Sequence, residues 1–367
     1  MKKKLLKNMD YGVLICVLLL MTGGLFALFS TSKNTEYTEF IKQLQWFAVS
    51  IPFFIAAIVI DYNKILKFAP AFYGVCLFLL VIVLFTDSIN GASSWFSIAG
   101  FSFQPSEFGK IATILFLAYV LNLLQAKSKK DVNKFKNVLI ILTVIAVPVL
   151  LIVKEPDFGT ATAYIFAFVF IMFVSGINKK YIFASLAIIA VLVPVIYLNL
   201  PQHALDRINV YLHPESDPRG SGYNIIQSKL AIGAGQILGM GFLQGNQTQL
   251  GYLHPKTTDF IFSAIGEELG FVVASVVIIL YVVLITKIVY VAKTAKDNVG
   301  SYIAIGIAGV LCFHMIENIG MTMGLLPITG VPLPFVSYGG SSLLTNFICI
   351  GLVLNVSARR QKAIFIE

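Results

Sequence analysis

The stretch KTTDFIFSAIGEELGF, Lys256–Phe271, opens a strongly apolar helix with three carboxylates: Asp259, Glu267 and Glu268. A carboxylate at a helix mouth can take a proton from a hydroxyl that is about to attack. At about 100° per residue, Asp259 and Glu267 lie about 80° apart and can line one cavity, whereas Glu268 faces the opposite side, toward a neighbouring helix. Thr257, Thr258 and Asp259 are all residue types that cap helix starts. Capping is the cheap explanation for Asp259, but it leaves Glu267, two turns deeper, unexplained.

Five further stretches carry reactive types. In WFSIAGFSFQPSEFGK, Trp95–Lys110, Pro105 suits a first helical turn. Glu107 and Lys110 are three apart on one face and can pair, and Trp95 suits a membrane interface. The bland reading is a capped helix with a local ion pair, yet a lysine one turn inside a membrane helix is costly and a functional candidate. In KEPDFGTA, Lys154–Ala161, Asp157 is a helix cap or a site wall, with Gly159 permitting the turn. RINVYLHPESDPRGSGYN supplies Arg207 and Arg219, suited to phosphate or to a solvated loop. PITGVPLPFVSYGGSSLL places Ser337 and Ser341 around a glycine pair at a helix start. That arrangement can bind an anion, although an N-capped helix after a rigid turn accounts for the serines. In HMIENIGMTMG, His314 and Glu317 share a face, as a buried structural pair or a proton path; the structural pair is the simpler. Together, Glu107, Asp157, Asp259 and Glu267 with Lys110, Arg207 and Arg219 outline a pocket for an amphiphile with a phosphate head and a lipid tail.

The elements that hold these residues are helices in a bilayer. Of 367 residues, 57% are hydrophobic and 12% charged, against about 25% charged in soluble domains. Ten apolar runs, 11–29, 44–60, 68–85, 105–124, 137–153, 160–175, 181–198, 261–286, 301–326 and 341–356, are long enough to span a membrane. This predicts an all-α polytopic membrane protein of one domain over 1–367, with a loop of about sixty residues, 199–260, between spans seven and eight. The net charge of +9 is a topology signal rather than a nucleic-acid footprint, because nineteen of the 27 Lys and Arg residues fall in the segments that would be cytoplasmic if both termini are. The basic, apolar start reads as an uncleaved first helix. Within the long loop, Tyr223–Phe242 is amphipathic and suits the membrane interface or the bundle top. The four cysteines lack CxxC spacing and the four histidines lack HExxH, so no zinc site is expected. No internal repeat points to an inverted-repeat transporter.

These stretches, in this order and over the whole chain, resemble the SEDS family (shape, elongation, division and sporulation) of bacterial membrane proteins. The resemblance is densest over Trp95–Lys110, Lys154–Ala161, Arg207–Gly270 and Gly320–Ser342. The turn TGVPLPFVSYGGSS is similar to the elongation branch rather than the division branch. The resemblance implies a peptidoglycan glycosyltransferase that polymerises lipid II at the outer face of the bacterial cytoplasmic membrane, during elongation and rod-shape maintenance. It implies Asp259 as general base and Glu267 shaping its cavity. Lys110, Arg207 and Arg219 would face the leaving pyrophosphate, and Glu107, Trp95, Asp157, Ser337 and Ser341 would complete the substrate site. A divalent cation, Mg or Mn, would assist at the pyrophosphate. The partners implied are the nascent glycan strand, a class B penicillin-binding protein with transpeptidase activity, and the elongation machinery. A lipid-linked precursor flippase and a non-catalytic scaffold are the alternative classes.

Overall fold

A computed structural model describes residues 8–85, 94–98, 101–178, 180–181, 205, 209–217 and 220–360. The labelled helices are α1 (Tyr11–Thr31), α2 (Thr38–Val59), α3 (Ala69–Val83), α4 (Pro105–Leu124), α5 (Phe135–Lys154), α6 (Phe158–Ser175), α7 (Ser221–Ala234), α8 (Ile261–Lys293), α9 (Asn298–Thr322) and α10 (Gly340–Arg359). Eight are long and apolar enough to cross a membrane; α3, with 15 residues, is a shorter apolar helix, and α7 belongs to the long loop. Each predicted span within the described residues coincides with one of these helices. The span at 181–198, apart from Tyr181, and Arg207 and Arg219 lie outside the described residues. Among the described residues, the departure from all-helical structure is a ribbon, β1 (Phe96–Ile98) against β2 (Phe101–Phe103), which delivers the chain to Pro105.

Helices are what these runs must form, because hydrocarbon offers no partner for an unpaired backbone group. Aspartates fix several starts: Asp10 accepts from Gly12 N at 3.0 Å, Asp157 from Thr160 N at 3.0 Å, and Asp297 from Gly300 N at 2.8 Å. The centre of the bundle is α9 and α10, with 78% and 89% of their spans buried, against 17% for α2. At one end of the bundle Lys287 meets Asp10 at 3.6 Å, Arg359 meets Asp61 at 3.4 Å, and Tyr62 donates to Asp297 at 2.7 Å. Lys287 and Arg359 are among the nineteen basic residues that the charge bias assigns to one side.

α8 is longer than its predicted span, 261–286. Unbroken, its 33 residues would reach about 50 Å, well beyond the ~30 Å hydrocarbon thickness. It breaks at Gly270, whose φ of 78° and ψ of −178° are open only to glycine. The break strands backbone groups, and the predicted amphipathic stretch satisfies them. That stretch is helical only as α7; its continuation runs beside the break. Met240 N donates to Glu267 O at 2.9 Å and Gly241 N to Glu268 O at 3.1 Å, while Phe271 N and Val272 N donate to Gln236 O and Ile237 O at 2.9 and 3.2 Å. Irregular backbone is thus paired with irregular backbone.

Candidate functional site

The polar groups gather where the starts of α4, α6, α8 and α10 meet the 327–339 loop. Pro105 begins α4, and one turn later Lys110 Nζ pairs with Glu107 Oε1 at 2.8 Å, as the spacing predicted. The pair is almost fully buried, and such a pair is tolerated only when its remaining donors and acceptors are met. Thr345 of α10 donates to Glu107 Oε2 at 3.0 Å, and Lys110 donates to His314 Nε2 at 3.1 Å. His314 Nδ1 lies 3.0 Å from Pro332 O. A carbonyl only accepts and an ammonium only donates, so His314 is the neutral tautomer with its proton on Nδ1. The expected His314–Glu317 pair does not form: Glu317 accepts from Thr329 at 2.8 Å. Three-residue spacing puts the two on one face, but their partners come from other elements.

Asp157 caps α6 through Oδ1, and its Oδ2 accepts from Gln104 Nε2 at 3.0 Å. Gln104 N in turn donates to Ser341 Oγ at 3.3 Å. These bonds tie three helix starts together. Burial raises the Asp157 carboxyl above the usual range; the Thr160 N–H opposes this, Glu107 adds to it and Lys110 counters it. Gly159 does not serve a turn. It lies inside α6, where a methyl would stand 2.4 Å from Val331 Cγ2, so its bareness lets the 327–339 loop pack on the helix.

That loop and α9 hold the chain at Asp259. Ser337 donates to Thr258 O at 2.6 Å and accepts from Leu333 N at 2.9 Å, and Tyr338 N donates to Thr257 O at 2.9 Å. Asn318 donates to Asp259 O at 3.0 Å and to Val331 O at 2.9 Å. A methyl on Gly330 would lie 3.6 Å from Asp259 Oδ2. Asp259 itself is half-buried. The N-cap of α8 is Phe260, with no side-chain capping bond, so neither the threonines nor Asp259 caps the helix. Burial raises the Asp259 carboxyl above its usual range, opposed by the Thr258 hydroxyl and His254.

Glu267 is not part of that cavity. It is fully buried, and its oxygens accept from Gln247 N at 2.6 Å, Thr248 N at 2.9 Å and Thr248 Oγ1 at 2.6 Å. It therefore pins the short helical turn Asn246–Gln249. Glu268 accepts from Gln249 Nε2 at 2.7 Å, and the same amide reaches Ser30 Oγ of α1 at 2.8 Å, so Glu268 does face a neighbouring element. Ser337 and Ser341 are buried and occupied by protein partners, and α10 starts without a side-chain cap. Trp95 is exposed beside Ser94, ahead of the ribbon.

Sequence reasoning gave no site role to three residues. Gln104 and Asn318 bridge elements distant in sequence, and their only sequence signal was polarity beside or inside an apolar run. Glu155 is fully buried, and among the described residues neither of its carboxyl oxygens has a hydrogen-bond partner. Burial, with the Asp157 charge added, pushes its pKa up to about 8.

The fold and site define a polytopic helical membrane protein with buried charge collected around the 327–339 loop. The FtsW/RodA/SpoVE family of cell cycle proteins matches residues 10–362, and the chain belongs to that family. It is 38% identical over 297 residues to the peptidoglycan glycosyltransferase MrdB of Escherichia coli K12, covering 80% of this chain and 78% of that protein. It is 36% identical to the stage V sporulation protein E of Bacillus subtilis strain 168, covering 95% and 96%. A solved chain described under "Structural coordination of polymerization and crosslinking by a peptidoglycan synthase complex" superposes with a TM-score of 0.82 at 27% identity, covering 95% of this chain and 97% of that one. The chain is a glycosyltransferase by this kinship.

Proposed function

We propose that this protein polymerises lipid II into glycan strands at the outer face of the bacterial cytoplasmic membrane, in the service of cell elongation. The observation that carries the reading is Asp259: a half-buried carboxylate at the mouth of α8, free of the capping role its position suggests. Its raised pKa makes it a stronger base than an ordinary aspartate.

The acceptor sugar hydroxyl attacks the anomeric carbon of the donor from the face opposite the leaving group. Asp259 takes the hydroxyl proton as the new C–O bond forms. The bond to undecaprenyl pyrophosphate breaks, and its electron pair leaves on the phosphate oxygen. One displacement converts an α-linked donor into a β-linked chain. One base suffices, because pyrophosphate departs without strong acid assistance, unlike the leaving groups of paired-carboxylate glycosidases. Lys110, with one N–H beyond those given to Glu107 and His314, and Arg207 and Arg219 would stabilise the departing charge. Glu155 and Asp157 suit a divalent cation completed by pyrophosphate oxygens, since hard cations take one or two carboxylates plus substrate phosphates. Such an ion would neutralise the leaving group, and the orphaned Glu155 oxygens are the feature that fits it.

The partner reading is a class B penicillin-binding protein that cross-links the product, supported by the solved synthase complex that this chain resembles. The test uses the purified protein with its transpeptidase partner and labelled lipid II in detergent. A ladder of muramidase-sensitive polymer from the wild type, absent from Asp259→Asn, is the expected result. Wild-type polymer from folded Asp259→Asn overturns Asp259 as the base. No polymer from either, with the complex intact, overturns the polymerase reading in favour of transport of the same lipid.

A further inference from the structure

We infer that one face of α9 is a rail that sets the separation between Asp259 and Lys110, with Asn318 and His314 as its positioning residues. The inference rests on the base and cation roles proposed above. The two residues are four apart in sequence and so share a helix face. Each makes two contacts, one to the 327–339 loop and one to a site element. His314 holds Pro332 O at 3.0 Å and Lys110 Nζ at 3.1 Å. Asn318 holds Val331 O at 2.9 Å and Asp259 O at 3.0 Å. The loop carbonyls they grip belong to adjacent residues, so both arms refer to the same point of the chain. Glu317, between them, adds a third grip at Thr329.

Two features argue that this polarity serves geometry beyond packing. α9 is among the most deeply buried helices, where apolar side chains would fill the same space without desolvation cost. Asn318 also carries a buried Oδ1 with no partner among the described residues. An orphaned amide oxygen is unfavourable and calls for an explanation. Here the amide supplies two N–H donors aimed at two backbone carbonyls from different segments, which no apolar residue and no hydroxyl can replace. His314 likewise needs a donor and an acceptor on opposite sides of one ring. A rigid central helix thereby carries the base on one arm and the ammonium on the other, while the loop that both arms grip has no regular structure of its own. Misplacement by about 1 Å can cost about a hundredfold in rate.

The test measures kcat and KM for lipid II with the intact synthase complex, each rate normalised to the monodisperse folded fraction. Asn318→Leu and His314→Leu are expected to lower kcat about tenfold or more with KM little changed. His314→Gln, which keeps an acceptor and a donor, is expected to recover most of that loss. Should Asn318→Leu fail to fold, Asn318→Ser, whose hydroxyl reaches only one carbonyl, carries the same expectation. Asp259→Asn is run alongside. If it is inactive while the α9 variants keep wild-type kcat per folded molecule, the rail is overturned and the base stands. If losses appear only as a smaller folded fraction, or if His314→Gln is no better than His314→Leu, the positioning role is overturned as well. If Asp259→Asn keeps its rate, the reading beneath the rail is what fails.

Discussion

Asp259 and Glu267 come from one stretch of sequence, eight positions apart, and the fold treats them in opposite ways. Glu267 is fully buried and accepts from two backbone N–H groups and a hydroxyl. Asp259 is half-buried; Asn318 holds its backbone carbonyl, and its carboxylate meets the hydroxyl of the adjacent Thr258. The contrast separates two uses of a carboxylate. One with saturated acceptors stabilises the element that saturates it and has little left for a substrate. One whose backbone is gripped while its side chain stays available is arranged for chemistry.

Exchange of each acid for its amide is the sharpest way to break this comparison. Asp259→Asn is expected to lower polymerisation about 10²–10⁴-fold, the usual range for a general base, with little change in thermal stability. Glu267→Gln should do the reverse. Loss of a charged acceptor facing buried donors should cost about 1–3 kcal/mol, read as a lower melting temperature in detergent, with the rate per folded molecule preserved. A dead but stable Glu267→Gln would erase the distinction. The next effect concerns the break that lets the loop pack around Glu267. In Gly270→Ala the new methyl would fall 2.3 Å from Gly239 N at a backbone conformation closed to alanine, costing about 1–3 kcal/mol. Unchanged stability would mean that α8 is not broken there. The last effect, read against pH, concerns Glu155, a third kind of acid with neither saturation nor exposure. Its folded pKa of about 8 lies above the ordinary glutamate value. The native state therefore holds a proton that the unfolded chain has released, and stability falls as pH rises from the ordinary carboxylate range through about 8, then levels. Glu155→Gln should flatten that fall in a melting series from pH 5 to about pH 9. An identical slope in the variant would place its origin elsewhere.

The legible part of the fold was whatever depends on neighbours along the chain. Apolar runs located the helices because the bilayer leaves the backbone no alternative, and the Glu107–Lys110 pair followed from three-residue spacing. The Asp157 cap, a contact within one turn, was one of the two readings the sequence left open. His314 shows where this reasoning stops. Spacing offered Glu317 as its partner, whereas the fold gives it Lys110 and Pro332 from other elements. Gly270 looked like one more glycine in an apolar run, since nothing local demands a break. The segment that fills the break arrives from thirty residues upstream.

By itself, then, the sequence determined a polytopic helical bundle, which acids and bases stand at helix mouths, and the family resemblance that the whole-chain comparison established. Only the tertiary structure decided which of those groups are engaged. A side chain's availability is set by donors and acceptors that reach it across space. For Asp259, Glu267 and His314 those come from α9, from the 246–249 turn, and from α4 together with the 327–339 loop, and no local periodicity encodes their arrival.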